Sequence, residues 1–416
     1  METVPAMAAP SLDHIRALDA ADPLAPARAH FALPPGVIYL DGNSLGALPV
    51  GTAARVADTV QREWGSGLIG SWNSADWIGA PQRLGARIAG LIGAAPDEVL
   101  VADSTSVNLY KLLAAAIMAQ PGRRTVLTEP GNFPTDLYMV QGLAQLVPGL
   151  RIRQAEREAI IDAIDDDVAV VMLTQVHYKT GHRLDLATVT AAAHARGALM
   201  LWDLSHSAGA IAVDLNTAGG DLAVGCGYKY LNGGPGAPAY LYVAKRLQDR
   251  LQTPLAGWMG HARPFDFDDD YAPAAGIARF GCGTPAIVAL AALDAGLDTF
   301  DGIDRTALYA KGQALADLFI NVVEAGDTGI ALVTPRDPAQ RGSHVSFACD
   351  QGFAVVQCLI ARGVIGDFRA PNVMRFGFAP LYLTYADVWH AAQALVDVLH
   401  TRAWDRPAFK LRGKVT

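Results

Sequence analysis

Val168-Ala-Val-Val-Met-Leu-Thr174 decides the fold. An unbroken apolar run closed by a threonine offers no polar face to water, so it reads as a strand covered on both sides. Working outward, Arg124–Glu129 (RTVLTE), Ala198–Asp203 (ALMLWD) and Asp221–Cys226 (DLAVGC) read as further strands, and Asp185–Arg196 has helical composition. This alternation, from about residue 95 to 245, predicts an α/β domain with a mostly parallel sheet flanked by helices. Right-handed crossovers then gather strand C-termini and helix N-termini on one edge, where ligands sit.

Beyond residue 300 the rhythm changes. Ile303–Glu324 reads as a long helix, followed by a strand at His344–Phe347, a helix near Phe353–Arg362, a strand at Val373–Phe378 and a final helix near Tyr385–Thr401. That is the content of a small α+β domain. Pro10, Pro23, Pro26, Pro34 and Pro35 make the N-terminus read as an arm. The expected division is an arm over 1–50, a large domain over 51–300 and a small domain over 301–416.

With 51% hydrophobic and 18% charged residues among 416, the chain can bury a large core and is not a disordered protein. A net charge of -8 argues against nucleic acid or an anionic membrane as the main partner. Cys226, Cys282, Cys349 and Cys358 form no C-x-x-C pair, so neither a disulfide framework nor a zinc site is expected. Reduced thiols suit a cytoplasmic protein. The opening METVPAMAAPSLDH lacks a basic start and an apolar core, so no secretory leader is expected. Tyr230–Ala244 is free of charge but too short and too broken by glycine and proline to cross a bilayer.

Chemistry concentrates in five places. In Tyr228-Lys229-Tyr230-Leu-Asn-Gly233-Gly234-Pro235-Gly236, a lysine follows an apolar strand and precedes a turn whose glycines let backbone approach closely. A lysine so placed can be a surface residue or an amine nucleophile that forms a Schiff base. In Leu201-Trp-Asp203-Leu-Ser-His206-Ser207, Asp203 ends a strand and faces the ligand edge. Its carboxylate can cap a helix, or partner the pyridine nitrogen of pyridoxal phosphate (PLP), whose protonated ring is the better electron sink. No third ligand turns Asp203 and His206 into a metal site, and none is expected. Asp103-Ser-Thr105-Ser106 precedes leucines at helical spacing, so it caps a helix and can also hold an anion. Asn132-Phe133-Pro134-Thr135-Asp136 follows a strand: Pro134 suits the first turn of a helix, Phe133 can stack on a flat ring, and Asp136 can bond to its substituents. In Met374-Arg375-Phe376-Gly-Phe378, alternation sets Arg375 apart from its apolar neighbours, as a structural ion pair or as a carboxylate clamp.

Together these residues resemble the fold-type I PLP enzymes of the class V aminotransferase group, and more closely the kynureninase family. The resemblance rests on Tyr39-Leu-Asp-Gly-Asn-Ser-Leu-Gly46, Ser71-Trp-Asn-Ser74, Asn132–Asp136, Trp202–Ser207, Gly227–Gly236 and Arg341-Gly-Ser-His-Val-Ser346, in the family's order. It implies a seven-stranded-type sheet, a homodimer with shared active sites, and cleavage of L-kynurenine to anthranilate and L-alanine in tryptophan degradation, on the route to NAD. It also implies roles. Lys229 carries PLP, Asp203 meets the ring nitrogen and His206 lies near the ring. Thr105 and Ser106 hold the phosphate with Tyr228, which is also the candidate for proton transfer at the carbonyl. The Phe133–Asp136 segment, with Pro134 and Thr135, and Thr174 complete the cofactor side. Trp258 and Thr284 reach the neighbouring subunit's phosphate region, Arg375 takes the substrate carboxylate, and Asn43 and Trp72 line the substrate. Animal members carry His at the position of Trp72 and Asn at that of Thr284, so the chain is similar to the bacterial branch, which favours kynurenine over its 3-hydroxy form. A cysteine desulfurase or an aminotransferase shares the Asp/Lys core, and a dimer that only binds PLP is the non-enzymatic alternative.

Overall fold

The computed structural model describes residues 10–413. The first nine residues, on which the reading of the leader partly rests, lie outside them. The chain divides into two compact units: Gly51–Tyr178 with Leu184–Asp298, and the described parts of Met1–Val50 and Thr299–Thr416 with Lys179–Arg183.

The first unit is built on seven strands: β1 (Val99–Val101), β2 (Thr125–Thr128), β3 (Arg151–Gln154), β4 (Val168–Thr174), β5 (Leu199–Asp203), β6 (Leu222–Gly225) and β7 (Tyr240–Val243). Their order across the sheet is β1-β7-β6-β5-β4-β2-β3. Pairing is parallel from β3 through β6, and β7 is antiparallel to both of its neighbours. Every residue of β4 is buried, as its unbroken apolar run requires. The expected strands at 124–129, 168–174, 198–203 and 221–226 are all present. Asp185 caps the helix that follows β4 (Leu186–Ala195) by accepting from the Thr188 N–H. Two further helices begin at the sheet's ligand edge: α1 (Thr105–Met118), after β1, and α2 (Pro134–Ala144), after β2.

The second unit has a four-stranded antiparallel sheet of β8 (Ala331–Leu332), β9 (His344–Ala348), β10 (Asp367–Arg369) and β11 (Val373–Gly377), in the order β10-β11-β9-β8. The expected helices appear at Arg305–Ala325, Gly352–Ala361 and Tyr385–His400. The proline-rich N-terminus is fastened to these elements. Asp19 accepts from the Tyr385 and Ala386 N–H groups at 2.7 and 3.1 Å, Asp22 pairs with buried Lys311 at 2.7 Å, and Arg28 pairs with Asp387 at 2.6 Å. Arg341, from the RGSHVS segment, is fully buried; it donates to Asp317 and to the Arg336 carbonyl, so it serves the interior of this unit.

Candidate active site

The ligand edge of the large sheet carries one pocket lined by Ser104, Thr105, Ser106, Phe133, Thr135, Asp136, Thr174, Tyr178, Asp203, Ser205, His206, Tyr228 and Lys229. Strand register explains much of it. Thr174 and Asp203 end neighbouring parallel strands and are direct partners across β4 and β5. Lys229 follows β6 on a turn that only glycine permits at its base: a Cβ on Gly227 would come within 2.4 Å of the Pro238 carbonyl oxygen. The turn closes through a Gly233 N–H donated to the Gly227 carbonyl at 2.9 Å, where a Cβ on Gly233 would also clash.

Lys229 is buried, and its Nζ lies 3.3 Å from His206 Nε2. The same nitrogen lies 5.8 Å from the centroid of the Phe133 ring and 5.7 Å from that of Tyr228. Asp203 is buried and accepts the Ser205 N–H at 2.7 Å. Burial pushes its carboxyl above the ordinary range, against the Ser205 hydrogen bond and the Lys229 charge. Asp136 is pushed well up, first by burial and then by the charge of Asp203. Its Oδ1 is buried without a hydrogen-bond partner, while Oδ2 lies 3.4 Å from the Thr174 hydroxyl oxygen. The phenol of Tyr228 is also pushed upward, chiefly by burial, and so holds its proton at neutral pH.

Two residues enter that the sequence reading passed over. Tyr178 lines the pocket and meets the Phe133 ring edge-on at 5.3 Å. Asn132 holds the site's frame: its Oδ1 accepts from the Phe133 N–H at 2.7 Å and the Thr174 hydroxyl at 2.5 Å. Asn132 sat inside the quoted NFPTD segment, whereas Tyr178 had only its place just beyond a strand end as a signal. Pro134 is the first residue of α2 and does not itself line the pocket.

Trp258 and Thr284 do not line this pocket. Trp258 packs on Trp72 with centroids 6.3 Å apart and shares a second, apolar pocket with Ile69, Phe265 and Phe267. Thr284 is exposed and lines a third pocket with Asp103, Gly281 and Cys282.

Asn43 and Arg375 belong to the other unit. Arg375 is buried on β11, directly across from Asp367 on β10. Its Nε donates to Asp367 Oδ1 at 2.7 Å and its Nη2 to Oδ2, with Ser44 Oγ 3.0 Å from Nη2. The structural ion pair left open by the sequence is therefore present. Asn43 is fully buried, with neither amide atom hydrogen-bonded, and lies so close to Gly377 that a Cβ there would come within 2.0 Å of Oδ1.

A family model described as the kynureninase C-terminal domain matches residues 308–395. The kynureninases of Pseudomonas fluorescens and of Burkholderia mallei (strain SAVP1) are each 53% identical to the chain over 408 residues, spanning 96% of it and 98% of their own length. Among solved structures, a cysteine desulfurase from Thermococcus onnurineus NA1 aligns with TM-score 0.74 at 19% identity, over 95% of this chain and 100% of its own. A C-DES structure with glycine covalently linked to its PLP cofactor aligns with TM-score 0.77 at 17% identity, over 89% and 99%. The distant structures share the fold alone, while half-identity along nearly the whole length is a closer tie: the chain belongs to the kynureninase family.

Proposed function

We propose that this chain hydrolyses L-kynurenine to anthranilate and L-alanine, and 3-hydroxykynurenine less well, using PLP held on Lys229. The carrying observation is the charge of the pocket. Two buried carboxyls, Asp203 and Asp136, feel the single positive charge of Lys229, and among the described residues neither forms an ion pair. Asp203 would hold the protonated nitrogen of a bound pyridine ring, and Asp136 Oδ1, which lacks a partner, would be free to bond to a ring substituent. At the opposite charge extreme, α1 starts at Thr105 and Ser106, where a helix N-terminus favours a phosphate. Phe133 offers an aromatic face. The donor set therefore fits PLP.

When bound, the cofactor supplies the electron sink for carbanion chemistry next to the substrate amine. The chain's residues supply position and protons. Lys229 Nζ would hold the cofactor before substrate binds and, as the free amine afterwards, would move the proton at the substrate α-carbon. Tyr228, protonated at neutral pH, gives and takes a proton at the γ-carbonyl oxygen as water adds there and the Cβ–Cγ bond breaks. His206 lies within hydrogen-bond reach of Lys229 Nζ and steadies it. Arg375 is assigned the substrate α-carboxylate, and Asn43 and Trp72 the substrate's flanks.

Trp258 and Thr284 are assigned to the site of a second copy. In support, both are at least partly exposed on their own chain, outside the Lys229 pocket, and Trp258 adjoins exposed Ile69, Phe265 and Phe267. An apolar patch of this kind marks an interaction surface. A homodimer working in the cytoplasm is the corresponding assembly. No helix of the described residues is long and apolar enough to cross a membrane.

Incubation with kynurenine should release anthranilate, read by its fluorescence, and alanine in equal amounts, with no sulfide from cysteine. Borohydride should fix PLP on Lys229, and Lys229→Ala should cost upwards of about 10⁴-fold in turnover. A reduced adduct on another lysine, or sulfide as the main product, would overturn the assignment.

A further inference from the structure

Lys111 lies on the inner side of α1 with no exposure at all. A lysine is almost never buried so completely unless its charge is met. Here the ammonium donates to the Asp103 carboxylate and to the Phe280 carbonyl oxygen, the latter at 2.7 Å. The two acceptors belong to different segments, 169 residues apart in sequence for Lys111 and Phe280.

Asp103 stands immediately before the Ser104 cap of α1 and has φ +49°, the left-handed region that a residue with a side chain seldom occupies. Its carbonyl accepts the Ala239 N–H at 2.9 Å, which pins the backbone from the other side. The conformation of Asp103 sets the direction in which the chain enters α1, and with it the directions of Thr105 and Ser106. Phe280 in turn leads directly into Gly281-Cys282-Gly283-Thr284, and this segment lines a pocket with Asp103. One buried ammonium thus ties the loop assigned to the phosphate of this chain's cofactor to the loop whose Thr284 is assigned to the neighbouring copy.

We propose that Lys111 is a positioning residue for cofactor binding: it holds Asp103 in its left-handed turn and clamps the 103–106 loop to the 280–284 loop, so that both phosphate-contacting segments are set together. The inference rests on the PLP reading above. A wild-type borohydride adduct at Lys229 establishes that reading independently of anything done to Lys111.

The test uses Lys111→Met and the double variant Lys111→Met/Asp103→Asn, which leaves no lone carboxylate behind. Apo protein is titrated with PLP by absorbance, and thermal unfolding is recorded in parallel. If Lys111 acts as a clamp, both variants bind PLP about tenfold more weakly, or worse, the scale of a lost charged hydrogen bond. Their apo melting temperatures fall, because the Phe280 carbonyl loses its partner, and fall less in the double variant than in Lys111→Met, while the kynurenine KM at saturating PLP is unchanged. Recovery of PLP affinity in the double variant would show that Lys111 only neutralises Asp103, and would overturn the proposal. So would unchanged affinity in both. Hydrogen exchange on apo wild type and apo Lys111→Met gives a second reading: the variant should lose protection at the amides of 104–107 and of 281–284 together, with the central strands unchanged. Loss of protection at one segment alone would equally defeat the clamp.

Discussion

Each unit holds two acids shielded from water close to basic side chains, and the two pairs are wired in opposite ways. Around Arg375, burial pushes Asp367 up, but the guanidinium's hydrogen bonds and charge, helped by Arg369, outweigh it and hold the carboxyl at about 2. Its neighbour Asp41 is left with the remainder: burial, and then the Asp367 charge, raise it to about 7. Around Lys229, neither Asp203 nor Asp136 is in direct ion contact and both are raised. The first pair is an internal salt bridge that satisfies one acid at the other's expense. The second carries an uncompensated demand for positive charge, as a site for a cationic ring requires. A direct fork between guanidinium and carboxylate makes a frame, whereas the lysine near Asp203 and Asp136 touches neither carboxyl.

The two pairs should differ most at Asp203. Asp203→Asn should lower kcat/KM for kynurenine by roughly 10²-fold or more, the scale of losing one preorganised electrostatic partner. The same change should not destabilise the apo protein. A carboxyl raised in the folded state makes stability fall as pH rises above the ordinary carboxylate range, and removing it removes that fall. Urea unfolding of apo wild type and variant at several pH values tests the sign. A variant that is less stable at high pH than the wild type would mean that Asp203 is already paired without cofactor.

Arg375→Ala comes next. It should cost about 1.5–3 kcal/mol of transition-state binding, or roughly ten- to more than hundredfold in kcat/KM. It should also destabilise the fold, because buried Asp367 loses its two-pronged partner and keeps only Arg369 and Ser44. Lys at this position should rescue poorly, since a point charge cannot reproduce the fork to both Asp367 oxygens. Near-normal kinetics in Arg375→Ala would place the substrate carboxylate elsewhere.

A smaller effect belongs to Asp41. As pH rises through about 7, Asp41 ionises beside Arg375 and competes with an incoming carboxylate. The KM for kynurenine should therefore rise severalfold across that range, and Asp41→Asn should flatten the profile. Stability follows the same sign: the neutral carboxyl is the favoured folded form, so the Asp41 contribution declines between the ordinary carboxylate range and pH 7. A KM that falls with pH, or an unchanged profile in Asp41→Asn, would exclude this coupling.

The smallest expected effect lies away from both acid pairs. Trp72→His should leave PLP affinity intact and shift relative kcat/KM toward 3-hydroxykynurenine by a few-fold, measured with both substrates. A loss of PLP affinity would instead show that the Trp72–Trp258 contact supports the cofactor region.

The central strands were legible because burial on both faces leaves its mark on composition: β4 and β5 read as apolar runs, and Asp203 stands out as the charge that ends one of them. Helix starts were legible through Asp185, Ser104 and Pro134, since caps act locally. The edge strand β3, Arg-Ile-Arg-Gln, escaped notice because its side chains are largely open to water and carry no apolar signature. Short β1 and β7 escaped as well, being held in the sheet by pairing with each other and with β6.

By itself, then, the sequence determined the sheet's core, the lysine, the acid at the strand end and the motifs that tie the chain to its family, because burial, capping and turn chemistry are written in neighbouring residues. What Arg375 touches, how Asp41 and Asp367 share the arginines beside them, which groups surround Lys229, and that Lys111 joins two distant loops were decided only in the tertiary structure. Each depends on strand register or loop packing that brings together residues far apart in the chain, and the resulting charge balance belongs to the assembled neighbourhood rather than to any one segment.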